Sequence, residues 1–265
     1  MFTIFRRATI MAVLALGLVS TIAPRPAVAQ NVDEILKRGK VLIGVDTANP
    51  PFGAVGKDGE PEGYDPDVAR LIGKYLGVPV EFVTITAQNR MAYLLTNRLD
   101  MIMLGITPER ARQIWFSMPY ATEAAVLVGP ASLQVKTLAD LAGKRVGVPR
   151  GAMQDLVLSQ SAPVGTNIMR FDDQATAVQA LIAGQVDLAG TGMLQFRTIN
   201  RDNPGRNYET KLVLRPLHFG IGIRRGNTDL LQFLNTTLYA IKNNGELEAI
   251  SQKWRGLPLG ELPVF

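Results

Sequence analysis

Residues 41–83 read VLIGVDTANPPFGAVGKDGEPEGYDPDVARLIGKYLGVPVEFV, and the order of signals in this stretch decides the fold. Val41-Leu42-Ile43-Gly44-Val45 is an apolar run too short for a helix, so it reads as a buried strand. Asp65-Pro66 then offers a helix cap and a first helical position, after which Val68, Leu71, Ile72, Tyr75 and Leu76 recur on one helical face until Gly77 stops them. Val80-Glu81-Phe82-Val83 reads as the next strand. Strand, helix and strand in succession predict a βαβ unit and a mainly parallel sheet.

The same alternation runs outward from this unit. Asn89 to Asn97 reads as a helix, Met101-Ile102-Met103 as a strand, and Thr107-Pro108-Glu109-Arg110 as another cap-plus-proline start. Further on, Thr137 caps a short helix ending at Gly143, and Arg145-Val146-Gly147-Val148 is a strand. A helix near Gln154 to Gln160, a strand at Ile168 to Phe171, a helix capped by Asp172 or Asp173, and a strand at Val186 to Ala189 follow. Gly-Gln-Val-Asp at 184–187 echoes Asn-Arg-Leu-Asp at 97–100, so the two halves share one plan. Phe219 to Arg224 reads as a strand, followed by helices carrying Leu231, Leu234, Leu238 and Ile241, then Leu247, Ile250 and Trp254. The predicted class is α/β, with no low-complexity segment.

Composition narrows the function. Arg6 and Arg7, the uncharged stretch from Ala8 to Ala23, and Ala27-Val28-Ala29 together read as an export signal cleaved after Ala29. The rival reading, a membrane anchor, needs roughly 20 apolar residues, about twice the run from Ile10 to Val19. Loss of Arg6, Arg7 and Arg25 lowers the net charge from +5 to +2, which is no nucleic-acid footprint. The chain has no cysteine, which excludes disulfides, thiolate metal sites, thiol catalysis and a lipid-modified cysteine tether. The mature protein is therefore expected to be soluble.

Six local motifs occur in an order that resembles the family-3 extracellular solute-binding proteins, the polar amino-acid receptors of ABC importers. They are Gly44-Val45-Asp46 through Pro50-Pro51-Phe52, Asp58-Gly59 through Asp65-Pro66-Asp67-Val68-Ala69, Ile106 to Arg110, Phe116-Ser117-Met118-Pro119-Tyr120, Asp140 to Lys144, and Asn244-Gly245-Glu246-Leu247 through Trp254. The resemblance implies a periplasmic monomer without cofactor that passes a small amino-acid-like ligand to a membrane permease. It also implies two lobes joined by two crossing strands, near Glu123 to Gly129 and Val213 to Gly220. The expected boundaries are 1–29 for the signal, 30–124 plus 217–265 for lobe 1, and 125–216 for lobe 2.

Arg110 matches the family's arginine that grips the ligand's α-carboxylate, a task suited to a guanidinium fork; the plain alternative is a solvated arginine in a first turn. Gly151, Ala152 and Met153 are expected at a helix start, where free N–H groups favour an anion. Asn89-Arg90 with Leu94-Leu95 resembles glutamate/aspartate receptors of the family and suggests a second cation near an acidic side chain. Phe52 and Asp46 match positions that wall the ligand or lie near it. Gly105 and Thr107 belong to the segment that commonly serves the ligand's ammonium, but here that segment is about two residues short. Gly192 stands where the family often has an ammonium-pairing Asp, leaving Asp172 or Asp173 as substitutes or a ligand without an amino group, such as a small dicarboxylate. Asn49 replaces an aromatic of several relatives.

No catalytic or metal set assembles. His218 is the single histidine, and neither a phosphate loop nor a nucleophile elbow occurs. The enzyme alternative is a periplasmic cyclohexadienyl dehydratase on the same scaffold, with Glu123 as proton donor.

Overall fold

The computed structural model describes residues 32–263; the export signal expected at 1–29 lies outside them. The chain begins with α1 (Val32–Arg38), β1 (Val41–Val45), the short strands β2 (Ala54–Val55) and β3 (Pro61–Glu62), α2 (Tyr64–Leu76) and β4 (Val80–Thr84). It continues through α3 (Arg90–Leu95), β5 (Met101–Gly105), the single turn α4 (Pro108–Ala111) and β6 (Ile114–Phe116). β7 (Ala121–Pro130) leads to β8 (Arg145–Pro149), α5 (Met153–Ser161), β9 (Asn167–Phe171), α6 (Gln174–Ile182), β10 (Leu188–Gly192) and α7 (Met193–Asp202). The long β11 (Tyr208–Arg224) returns, followed by α8 (Thr228–Asn243) and α9 (Glu246–Arg255).

The strands lie in the order β4-β1-β5-β11-β7-β10-β8-β9, with β6 also on β11. β1 is parallel to β4 and β5, and β8 is parallel to β9 and β10. Between these two parallel sets β7 and β11 run antiparallel, from Phe219 opposite Ala121 to Tyr208 opposite Pro130. Two lobes are thus joined by a pair of crossing strands. Every residue of β5 and β10 is buried, as expected of strands covered on both faces. One core gathers Val41, Ile43, Ile72, Ile221 and Leu234, whereas Val126, Val178, Ala189 and Tyr208 form another around β10.

The echo between 97–100 and 184–187 is structural. Asn97 and Gly184 both take positive φ, 62° and 71°, after a helix. Asp100 then accepts the Leu42 amide at 2.8 Å and pairs with Arg38, while Asp187 accepts the Arg145 amide at 2.8 Å and pairs with the Arg145 guanidinium at 2.6 Å. Each aspartate ties a buried strand to its parallel neighbour through a charge-assisted bond. β10 consequently starts at Leu188, two residues later than the alternation suggests, because Asp187 is spent on this bracket.

Two other expectations shift. α2 is capped at Gly63 rather than Asp65: the Tyr64 and Asp65 amides are taken by the Pro51 and Phe52 carbonyls, and the Asp65 carboxylate instead accepts the Tyr120 hydroxyl at 2.7 Å. β11 is 17 residues long, well beyond the Phe219 to Arg224 segment that apolarity marks, since its first part is half-covered and needs no apolar run.

Gly63 is bound to this geometry. Its φ is +135°, and a methyl group there would lie 2.5 Å from the Phe52 carbonyl oxygen. Gly63→Ala should therefore destabilise the protein by about 2 kcal/mol, read as a lower urea midpoint with an unchanged slope; an unshifted midpoint would contradict the account.

Candidate ligand-binding site

The crossing strands leave a cleft between the lobes, and the side chains that reach it are set by short local devices. Thr107 caps α4 by accepting the Arg110 amide at 3.2 Å, and Pro108 occupies the first turn. The cap directs the Arg110 guanidinium inward, where only 6% of the residue is exposed. Its Nη1 donates to the Gly105 carbonyl at 2.7 Å and its Nη2 to the Gly151 carbonyl of the other lobe at 3.1 Å. Asn89 holds the turn before α3 by accepting the Thr86 amide at 2.9 Å, and this turn sends Arg90 into the cleft wall. Arg90 is 9% exposed; its Nη2 reaches the same Gly151 carbonyl at 3.5 Å, and its buried Nε has no partner.

Burial pushes both arginines below their ordinary pKa, and the Arg90 charge adds to the effect on Arg110. Asp46 offsets part of the effect at Arg90. Gly151 takes φ +73°, and a Cβ there would come 3.1 Å from the Ala87 carbonyl oxygen, so its lack of a side chain lets the lobes meet. Its amide donates to Asp155 at 2.9 Å, and the Ala152 amide donates to the Pro149 carbonyl at 3.1 Å. The expected free N–H groups therefore begin only at Met153, the first residue of α5. What Gly151 presents to the arginines is its carbonyl oxygen.

Of the residues singled out in the sequence, Asp46, Arg90, Gly105, Arg110, Ala152, Met153 and Gly192 line the cleft. Phe52, Asn89, Thr107 and Gly151 are not among the lining residues. Phe52 is 1% exposed and stacks on Phe219 at 4.6 Å between ring centroids, so Phe219 forms the aromatic wall instead. Asn49 lies in the lining as the sequence placed it. Asp173 caps α6 through the Thr176 amide at 2.7 Å and Asp172 is exposed, and neither lines the cleft. His218 lies outside the lining as well. The residues that sequence reasoning passed over are Ala87, Pro149, Gln154, Gln174, Leu217 and Phe219, which carry no motif.

Glu123, weighed from sequence only as a proton donor, is part of the cleft wall. Its Oε1 accepts the Leu194 amide at 2.7 Å at the start of α7. Desolvation pushes its pKa up to about 7, against the lowering effects of that amide and of Arg255. The one signal in the sequence is that it is the single charge in Ala121–Pro130. Behind the cleft, burial likewise raises Asp65 to about 7 despite the Tyr120 hydroxyl bond. Among the described residues no cluster of metal-ligating side chains occurs, and no helix is long and apolar enough to cross a membrane.

Glu123 and Asp65 hold protons more tightly folded than unfolded, where they titrate near 4.5 and 3.8. Between about pH 4.5 and 7 the folded protein keeps protons that the unfolded chain has lost, so these groups add stability as pH falls, and the contribution is gone above pH 7. Glu246, lowered to about 2 by its bonds to Lys74 and Tyr75, acts oppositely only in stronger acid. The ligand-free protein should melt higher at pH 5.5 than at pH 8, and Glu123→Gln should shrink the difference. An equal or reversed difference in calorimetry would contradict the assignment.

Comparison with known proteins agrees with the two-lobed architecture. A family model for bacterial extracellular solute-binding proteins, family 3, matches residues 41–257. The chain is 28% identical to the L-cystine-binding protein TcyJ of Escherichia coli K12 over 94% of this chain and 96% of the relative. A mutant of the arginine-binding protein ArgBP from T. maritima superposes with a TM-score of 0.79 at 32% identity, covering 85% of this chain and 99% of the other. The ancestral amino-acid-binding protein AncCDT-1, a precursor of cyclohexadienyl dehydratase, gives a TM-score of 0.75 at 29% identity over 84% and 99% of the two chains. With the matched segment spanning nearly all of both lobes, the chain belongs to the family-3 bacterial extracellular solute-binding proteins.

Proposed function

We propose that the protein is the periplasmic substrate-binding component of an ABC importer, and that it captures an acidic amino acid between its lobes and delivers it to a membrane permease. In this reading the signal is removed after Ala29, the monomer is the working unit, and the lobes comprise residues 30–124 with 217–265, and 125–216. The observation that carries it is the convergence of two buried guanidinium groups, Arg110 and Arg90, on one carbonyl oxygen, that of Gly151. A carbonyl supplies only a partial negative charge and Asp46 offsets only part of the burial of Arg90, so the two cations are under-neutralised, and Arg90 Nε has no partner. Carboxylates would give both arginines charge-assisted bonds. Arg110 takes the α-carboxylate and Arg90 the side-chain acid. A cationic side chain such as that of arginine would instead meet Arg90 and Arg110 as like charges.

Closure follows from where these partners stand. Arg110 and Arg90 belong to one side of the crossing strands and the open amide of Met153 to the other, so a ligand held by both sides favours the closed arrangement. Titration calorimetry should detect L-glutamate or L-aspartate. Arg110→Ala should weaken binding by about 100-fold or more, and Arg90→Ala should weaken glutamate by about 10-fold but glutamine less. A wild type indifferent to every amino acid would sink the proposal.

A second reading, a dehydratase on this scaffold, draws on Glu123, whose raised pKa of about 7 suits a proton donor in the cleft. Turnover of prephenate or arogenate would favour it; thermal stabilisation by an amino acid without product supports the receptor.

A further inference from the structure

We infer that Glu123, reaching across Gly192 from crossing strand β7, is the carboxylate that recognises the ligand's ammonium group. The inference rests on the amino-acid reading above and names a specificity-determining residue for it. A methyl group built on Gly192 would sit 2.6 Å from Cδ and Oε1 of Glu123. The Glu123 carboxylate thus fills the volume that a side chain at 192 would take. Gly192 gives the lobe-2 wall no side chain at this point, and the crossing strand supplies a carboxylate there.

Three observations bear on the role. Oε1 is anchored by the Leu194 amide at 2.7 Å, which fixes the group without neutralising it. Arg90 and Arg110 direct their hydrogen bonds to the Gly105 and Gly151 carbonyls and not to Glu123, whose desolvation-raised pKa is lowered in part by Arg255, which donates its Nη2 to the Thr122 carbonyl at 3.0 Å. Asp46, the other lining acid, feels Arg90. The cleft is therefore divided, with two guanidinium groups toward Gly105 and Gly151 and an unmatched carboxyl at Gly192. That polarity complements a zwitterion, whose ammonium would otherwise be buried without a counter-charge.

The geometry also links residues 123 and 192. A side chain at 192 requires the Glu123 carboxylate to move from where it stands. Once Glu123 is shortened, the volume opens and an aspartate at 192 can deliver its own carboxylate to the same point from the lobe-2 wall.

The test measures affinity by calorimetry for L-glutamate and for glutarate, which lacks only the amino group. Glu123→Gln should weaken L-glutamate by at least 30-fold while leaving glutarate within threefold. Gly192→Asp alone should weaken both ligands. The double variant Glu123→Ala/Gly192→Asp should bind L-glutamate at least tenfold more tightly than Glu123→Ala. If another amino acid binds in place of glutamate, the acidic preference fails, and the same comparison is made with that amino acid and its des-amino acid. Glu123→Gln that leaves L-glutamate within twofold, or that weakens glutamate and glutarate alike, overturns the inference, the latter outcome marking Glu123 as a cap of α7 only. A wild type that binds glutarate but no amino acid overturns both this inference and the reading beneath it.

Discussion

The antiparallel pairing of β7 with β11 is the constraint on which the rest of the molecule hangs. Parallel strands need long crossovers, so a chain built from βαβ units cannot pass between two sheets by a hairpin. Here it passes out along Ala121–Pro130 and back along Tyr208–Arg224, and the two segments pair from Phe219 opposite Ala121 to Tyr208 opposite Pro130. On one side β11 joins β5, and on the other β7 joins β10. The lobes are therefore parts of one hydrogen-bonded sheet, although each packs its own core. Twisting this ribbon offers a way to change the angle between lobes while neither core is disturbed.

The binding cleft inherits its chemistry from that arrangement. The carboxyl ends of β1 and β5 deliver Asp46, Gly105 and, one turn on, Arg110; the carboxyl ends of β8 and β10 deliver Pro149, Gly151 and Gly192. Open parallel sheets place ligands at that edge, where helix starts and loops converge. The crossing ribbon faces the same cleft and contributes Glu123, Leu217 and Phe219. A group on the ribbon can sense the ligand while lying at the pivot.

Charge is partitioned in the cleft by what each element can afford to bury. Arg110 and Arg90 are held by carbonyl oxygens and, at Arg90, by the field of Asp46. Glu123 and Asp65 relieve their burial by rising toward neutral pH. Under the aromatic wall, Tyr120 joins Asp65 to the floor through its hydroxyl, and Phe52 backs Phe219.

Much of this was legible in the sequence because it rests on local signals. Apolar runs and turn glycines fixed most strands and helices, Thr107-Pro108 fixed the cap that orients Arg110, and the repeated turn-plus-aspartate at 97–100 and 184–187 marked two halves on one plan. Tertiary structure decided what has no local period. The use of Asp187 as a bracket delayed β10, the Phe52 carbonyl took the capping role from Asp65, and Gly151 turned its carbonyl rather than its amide to the arginines. The meeting of Glu123 with Gly192, 69 positions apart, is of the same kind. A sequence records which residues are neighbours along a strand or helix, whereas a cleft is made by segments whose proximity depends on how strands from distant parts of the chain pair.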